Sequence, residues 1–275
     1  MPELPEVETI RRQLHPRLKG RLIGRAGGHP SAKFAPAAAA AGARIGHVGR
    51  RGKYLLIGLN GPGNWSGSPA PRTLVIHLGM TGVLRLRPSA EAPDPFVRAW
   101  WELGSERFEL RDVRRFGRVA VIEGDDLGAV PGLAVLGPEP LGGEFTPEHL
   151  HAALRRSNRR VKTQLLAQRA VAGVGNIYAD EALWQAGINP ALRRLTRAQA
   201  TRLHAAVRDV LATGIANGGT TFRDYRTVDG GSGSNQLSLR CYGRGGLACP
   251  RCGTTLVRRV LDGRGTTWCP TCQRR

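Results

Sequence analysis

Four cysteines near the carboxyl end constrain this chain more than any other feature. They form two CxxC pairs separated by sixteen residues, namely Cys249, Cys252, Cys269 and Cys272. This spacing is typical of a four-cysteine zinc site, in which two turns close a tetrahedron of thiolates. Such a metal replaces a core that the segment is too small to form alone. We therefore predict one structural Zn²⁺ ion. Cys241 has no partner at this spacing and is interpreted as a strand residue.

The charge of the chain is unevenly distributed. Its 275 residues are enough for two domains, and they carry a formal net charge of +20. Residues 1–150 hold 20 basic and 15 acidic side chains, whereas residues 151–275 hold 21 and 6. An arginine-rich genome accounts for the excess of arginine over lysine, but not for the larger excess of basic over acidic residues in the second half. The second half is therefore expected to bind a polyanion.

Neither a secretory signal nor a membrane span is expected. The first ten residues hold three glutamates, and no segment approaches the ~20 apolar residues that a span requires. Cysteines in CxxC pairs suit a reducing compartment. The chain is expected to be cytoplasmic, with no membrane partner.

Helical and then strand patterns fill the first half. Val7, Ile10, Leu14 and Leu18 recur at helical spacing, which predicts an amphipathic helix from residue 5 to about residue 18. Short β-rich runs follow at 54–57, 73–78, 83–86, 107–110 and 119–122. Glycine- and proline-rich turns separate these runs, which predicts an antiparallel sandwich or barrel. The tract 60–72 is poor in apolar residues and is interpreted as a flexible loop.

The second half has a helical pattern. Thr146 is a plausible helix cap, and helices are expected at about 147–156, 160–170, 176–185 and 196–216. A glycine-containing turn at 172–176 precedes the third of these helices. Such a turn with basic flanks could place backbone amides and Asn176 against a DNA phosphate. Residues 128–143 are interpreted as an interdomain linker.

Several motifs in the same chain carry a family resemblance. They are PELPEVET from Pro2, RRFG from Arg114, KTQLLAQRAVAGVGNIYADE from Lys162, and the cysteine pairs. Together they resemble the bacterial formamidopyrimidine-DNA glycosylases (the Fpg/MutM family) over nearly the whole chain. The resemblance implies an α+β fold with an N-terminal helix and β-sandwich domain (1–130), a linker (131–143), a helix-two-turns-helix domain (144–238) and a zinc-ribbon hairpin (239–275).

The resemblance also implies an active site at the amino terminus. Removal of Met1 would leave Pro2 with a secondary amine, and an α-amino group titrates near ~7.7–8.0, so part of it is neutral near pH 7. Such an amine can form an iminium with an electrophilic carbon. Glu3 is expected to transfer protons. Glu6 matches an active-site position, although compensation of the helix dipole explains it equally well. Lys53 matches a catalytic lysine and could equally contact a phosphate.

Further matches are expected to bind DNA. A glycosylase must flip its target nucleotide out of the duplex, and Met80, Arg114 and Phe116 match the residues that fill the gap. Lys162 and Asn176 match residues that bind the DNA backbone. Arg159 is expected to act with them. Arg264 matches the zinc-finger arginine that contacts DNA and is grouped with the catalytic set.

The implied activity is excision of oxidised purines, such as 8-oxoguanine and formamidopyrimidines, followed by β,δ-elimination at the abasic site. The partner is double-stranded DNA containing such lesions or abasic sites, and the protein is expected to act as a monomer at the bacterial nucleoid.

The sequence departs from the family pattern in two places. Ser234 and Asn235 occupy positions where an aromatic residue is expected, which leaves lesion preference open, and the region of Phe96 lacks a histidine that often touches DNA.

Two other functions are compatible with parts of the sequence. The sister enzymes acting on oxidised pyrimidines start with PEGPE and lack the RRF residues, so Leu4 and Arg114 argue against them. A zinc protein that binds damaged DNA without cutting it fits the charge and the cysteines equally well. Pro2 and Glu3 argue against this alternative, because a binding protein has no use for a terminal amine beside a carboxylate.

Overall fold

The computed structural model describes residues 1–61, 71–92 and 94–274, which form two compact units. The first unit contains Met1–Ala134 and Gly218–Ser234, and the second contains Val135–Asn217 and Asn235–Arg275. The chain leaves the first unit inside the segment 131–143 that was expected as a linker. The stretch 218–234, expected in the helical domain, belongs to the first unit. Most of the loop expected at 60–72 lies outside the described residues.

The predicted amino-terminal helix is confirmed as α1 (Leu4–Leu18). Pro5 lies in its first turn, where a missing N–H costs nothing. The apolar residues at helical spacing are at most 1% exposed and belong to the core of the first unit, namely Val7, Ile10, Leu14 and Leu18. Burial of this face fixes the helix, and with it the residues that precede it.

Two antiparallel four-stranded sheets are found among the described residues of the first unit. Their strands are β1 (Ala26–Gly28), β2 (Arg44–Arg51), β3 (Tyr54–Asn60), β4 (Arg72–His77), β5 (Val83–Pro88), β6 (Val97–Leu103), β7 (Glu106–Arg111) and β8 (Arg118–Glu123). One sheet has the order β2-β3-β4-β8 and the other β1-β6-β7-β5. A short helix, α2 (Pro131–Ala134), ends the continuous part of this unit.

The two sheets share one hydrophobic core, which confirms the predicted sandwich. Ile57 and Leu74 come from one sheet, Trp101 and Phe108 from the other, and all four are at most 1% exposed. The five predicted strands are present, and β1, β2 and β6 are additional. Glycines and arginines obscure the alternation in β1 and β2, so these strands gave no clear pattern.

The second unit contains the predicted helices α3 (Pro147–Arg155), α4 (Val161–Leu166), α5 (Asn176–Ala186) and α6 (Arg197–Ala216). Thr146 caps α3 by accepting a hydrogen bond from the His149 N–H at 3.1 Å. Helix α4 ends four residues earlier than predicted, because Gln168 adopts a left-handed conformation with φ 57°. Helices α5 and α6 pack closely, since a Cβ on Gly214 would lie 2.6 Å from the Tyr178 ring.

A hairpin of β9 (Val257–Leu261) and β10 (Arg264–Trp268) lies between the two cysteine pairs. Cys241 is not a strand residue as predicted: it lies in a bend, fully buried, and its thiol donates to the Thr267 carbonyl at 3.1 Å. No helix in the described part of the chain combines the length and apolar character needed to cross a bilayer.

Candidate functional site

The amino terminus is held in place rather than frayed. Pro2 is buried, and Glu3 is 2% exposed as the N-cap of α1. Glu3 and Glu6 form a capping box, in which the Glu3 N–H donates to Glu6 Oε2 at 2.7 Å. The other oxygen of Glu6 accepts the Thr220 N–H at 2.7 Å, so Glu6 also binds the stretch 218–234. Glu6 therefore organises the backbone around Pro2 and Glu3.

Lys53 lies in the turn between β2 and β3 and is 3% exposed. The neighbouring Arg50 forms an ion pair with Glu8 of α1 at 3.1 Å. Burial lowers the pKa of His77 to about 4, and the positive charges of Lys53 and Arg118 act in the same direction. The neutral His77 ring accepts the Gly79 N–H on Nδ1 at 3.2 Å. This bond connects the Lys53 region to the turn that carries Met80.

Met80, Arg114 and Phe116 lie on two adjacent turns, 79–82 and 112–117, which we call the insertion turns. Met80 is 38% exposed and Phe116 is 47% exposed. The Arg114 guanidinium lies over the Phe116 ring, 4.7 Å from its centroid. The structure thus brings the three predicted gap-filling residues together with their side chains accessible.

Lys162, Asn176 and Asp180 form a second cluster with residues 264–267, which we call the hairpin anchor. The Lys162 side chain is 2% exposed, and its ammonium lies 2.7 Å from Asp180 Oδ1 and donates to the Gly265 carbonyl at 3.0 Å. Asn176 Nδ2 donates to the same carbonyl at 3.0 Å. Lys162 and Asn176 hold β10 just after Arg264, whose side chain is exposed. The predicted phosphate contacts of Lys162 and Asn176 remain predictions.

Asp180 completes the hairpin anchor. Its Oδ2 accepts the Thr267 N–H at 2.9 Å. Burial raises the pKa of Asp180 to about 6, and the attraction of Lys162 limits the rise. The Lys162 ammonium, 2.7 Å from Oδ1, is the positive partner of this buried carboxyl group. Arg159, the remaining predicted DNA-binding residue, is exposed on the loop before α4.

The four predicted zinc ligands come together. The Sγ atoms of Cys249, Cys252, Cys269 and Cys272 all lie within 4.8 Å of one another, and those of Cys252 and Cys269 are 3.5 Å apart. Tetrahedral Zn–S bonds of about 2.3 Å place the sulfurs about 3.8 Å apart, so the cluster fits Zn²⁺. Trp184 Nε1–H points at the Cys249 sulfur at 3.4 Å. The predicted structural zinc site is confirmed.

Sequence reasoning missed the residues that support these sites. Thr81 and Asp112 bind the insertion turns, Asp180 neutralises Lys162, and Trp184 contacts a zinc ligand. Only Asp112 had a local signal, since an aspartate next to a turn commonly accepts backbone N–H groups. Asn235, at an expected aromatic position, is 3% exposed and bonded to Asn217 and Tyr178.

Three family descriptions match the chain. Residues 1–119 match the formamidopyrimidine-DNA glycosylase N-terminal domain, and residues 136–226 match the H2TH domain of the same glycosylases. Residues 246–275 match a zinc finger found in FPG and IleRS. The matches follow the order of the sandwich, the helical segment and the cysteine hairpin.

Individual members of this family are similar to this chain over nearly its full length. The formamidopyrimidine-DNA glycosylase of Deinococcus radiodurans is 42% identical over 99% of this chain and 97% of its own. The crystal structure of the Thermus thermophilus MutM (Fpg) protein has a TM-score of 0.89 and 44% identity, covering 99% of this chain and 98% of that one. Wild-type Lactococcus lactis Fpg in complex with DNA containing N7-benzyl-Fapy-dG has a TM-score of 0.88 and 32% identity, with complete coverage of both chains.

Proposed function

The chain belongs to the formamidopyrimidine-DNA glycosylase family, and we propose that it excises oxidised purines from duplex DNA with the amine of Pro2 as the nucleophile. It is a DNA glycosylase of base excision repair, and abasic-site lyase activity is typical of its family.

One observation carries the assignment of the nucleophile. Pro2 is buried at the start of a helix whose first turn is fixed by Glu3, Glu6 and Thr220. Chain termini are usually mobile unless something ties them down. A terminus held this firmly, with a carboxylate beside it, suits an amine that must meet a sugar carbon at a defined angle.

The proposed reaction begins once Met1 has been removed, because an amide nitrogen is not nucleophilic. The Pro2 nitrogen forms a bond to C1′ as the bond from C1′ to the base breaks, and the departing base takes up a proton. Glu3 transfers a proton at the sugar, whose ring opens to give an iminium. The iminium makes the C2′ hydrogen acidic, so its loss expels the 3′ phosphate. Loss of a second proton expels the 5′ phosphate, and water then releases Pro2.

The predicted DNA-binding residues and Arg264 are assigned either to contact DNA or to position a residue that does. Met80, Arg114 and Phe116 enter the gap left by the flipped nucleotide, and the exposure of Met80 and Phe116 supports this role. Arg264 and Arg159 contact the backbone, and Lys162 and Asn176 position Arg264. The positive charge suits a duplex partner. We propose that the enzyme acts as a monomer on the bacterial nucleoid.

Borohydride trapping tests the nucleophile. The processed chain, incubated with a duplex containing 8-oxoguanine and then reduced, should form a covalent adduct that mass spectrometry locates on Pro2. A chain that retains Met1 should form no adduct and cut no DNA, yet bind the duplex with unchanged affinity. Glu3→Gln should slow the reaction by about 10²–10⁴-fold, the usual contribution of a general acid or base.

The Met1-retaining chain keeps every side chain of the processed chain, adds Met1 and holds the Pro2 nitrogen in an amide. Full cleavage with Met1 intact would exclude Pro2. An adduct located on Lys53 would transfer the nucleophilic role to that lysine.

A further inference from the structure

A buried carboxylate joins the two insertion turns. Asp112 is 0% exposed. Its Oδ1 accepts the Thr81 hydroxyl at 2.6 Å, and its Oδ2 accepts the Gly117 N–H at 2.7 Å. One side chain therefore binds a residue of the turn that carries Met80 and a residue of the turn that carries Phe116.

Thr81 extends this contact to Arg114. Its hydroxyl donates to Asp112 and also accepts the Arg114 N–H at 3.3 Å. The backbone of Asp112 is fixed in turn, because its N–H donates to the Phe96 carbonyl at 2.9 Å and its carbonyl accepts from Arg98 Nε at 3.0 Å. The position of Arg114 thus depends on a chain of bonds that begins in the interior.

The insertion turns are packed so closely that they cannot shift independently. Gly79 has φ 63°, and a Cβ there would lie 2.4 Å from the Phe116 carbonyl carbon. Arg115 adopts φ 55°, a left-handed conformation that costs free energy for a residue other than glycine. This conformation persists only where neighbouring bonds enforce it, and the Asp112 bond to Gly117 lies two residues away.

We propose that Thr81 and Asp112 are positioning residues that set the geometry of Arg114 and thereby the preference for the base opposite the lesion. This inference rests on the proposed function, since it takes Arg114 as the group that meets that base. A guanidinium only donates hydrogen bonds. Cytosine offers two acceptors on its pairing edge, whereas adenine presents an acceptor beside a donor. Arg114 held in place therefore favours cytosine, and Arg114 free to move loses the distinction.

The test compares two substitutions of one hydroxyl. Thr81→Val removes the hydroxyl and nearly keeps the shape, whereas Thr81→Ser keeps the hydroxyl. Single-turnover excision of 8-oxoguanine is measured opposite cytosine and opposite adenine. Thr81→Val should slow excision opposite cytosine by roughly tenfold to a hundredfold, since a displacement of about 1 Å can cost about 10²-fold. The ratio of the two rates should fall towards one, and Thr81→Ser should retain the ratio. Asp112→Asn should lower it as Thr81→Val does.

Two controls separate positioning from general destabilisation. Thr73→Val removes a hydroxyl bond of 2.6 Å to Gly124 in the same unit and should leave the ratio unchanged. In an Arg114→Ala background, Thr81→Val should change the ratio no further, because both substitutions act through one group. The inference would be overturned if Thr81→Val and Thr73→Val gave the same ratio of excision rates opposite cytosine and adenine. It would also be overturned if Thr81→Val lowered this ratio further in the Arg114→Ala background. Absence of a trapped adduct in the unchanged chain would overturn the proposed function and this inference with it.

Discussion

The insertion turns and the hairpin anchor differ in the exposure of their predicted DNA-binding residues. Met80 and Phe116 are exposed, and hydrogen bonds made by Thr81 and the buried Asp112 fix their turns. Lys162 is buried against Asp180, and Asn176 bonds to Gly265. In the first region the predicted DNA-binding side chains are accessible to a ligand, and in the second they bind the protein itself.

This difference follows from the chemistry of the groups. Apolar residues that are predicted to replace a base can be exposed to solvent at small cost, because scattered exposed apolar side chains are normal. A buried ammonium needs a charged partner and saturated hydrogen bonds. Lys162 has these in Asp180, Gly265 and Thr266. The hairpin anchor therefore fixes the backbone of the zinc hairpin next to Arg264.

The largest effect is expected from the zinc site, which supports the hairpin anchor. Cys269→Ser should release the ion and unfold the hairpin, since structural zinc contributes about 10–16 kcal/mol of apparent binding free energy. Zinc content by atomic emission and DNA affinity should both fall while the first unit stays folded. Cys241→Ser is the matched control, because Cys241 is buried nearby without belonging to the cluster. Stoichiometric zinc in Cys269→Ser would contradict the assignment.

Removal of Lys162 is expected to have the next largest effect. Lys162→Met removes the partner of the buried Asp180 carboxyl group and should destabilise the second unit by about 3–5 kcal/mol. Hydrogen exchange should report the loss in the amides of Val257–Leu261 and Arg264–Trp268 while Tyr54–Asn60 stays protected. Addition of Asp180→Asn should recover part of the loss, since no unpaired charge remains.

A partly exposed ion pair between the residue before α4 and the turn of the same hairpin provides the control. Arg160 contacts Asp262 with side chains 33% and 38% exposed. Arg160→Met should cost only about 0–1 kcal/mol, because water screens such pairs. Equal losses of stability in Lys162→Met and Arg160→Met would show that the burial of Lys162 does not determine its contribution to the stability of the hairpin.

The contrast between the two regions also explains what the sequence could predict. Periodicity and spacing identified α1, the helices of the second unit, five strands and the zinc ligands, because each depends on residues near in sequence. The pairing of Lys162 with Asp180 and the contact of Thr81 with Asp112 depend on how separate elements pack. Burial of Lys162 was therefore missed, as was the placement of 218–234 in the first unit.

The smallest effect on stability is expected at the tip of the insertion turns. Phe116 is 47% exposed, and substitutions at such sites usually stay within about 0.5 kcal/mol. Phe116→Ala should therefore leave the free energy of unfolding nearly unchanged while excision of 8-oxoguanine slows, since the gap in the duplex is no longer filled. Phe108→Ala is the matched control, because Phe108 is 1% exposed in the sandwich core and should cost about 3–5 kcal/mol. Urea unfolding and single-turnover excision on both variants separate the two roles. A large loss of stability in Phe116→Ala, or unchanged excision, would mean that Phe116 packs against the protein as Lys162 does, and the contrast between the two regions would fail.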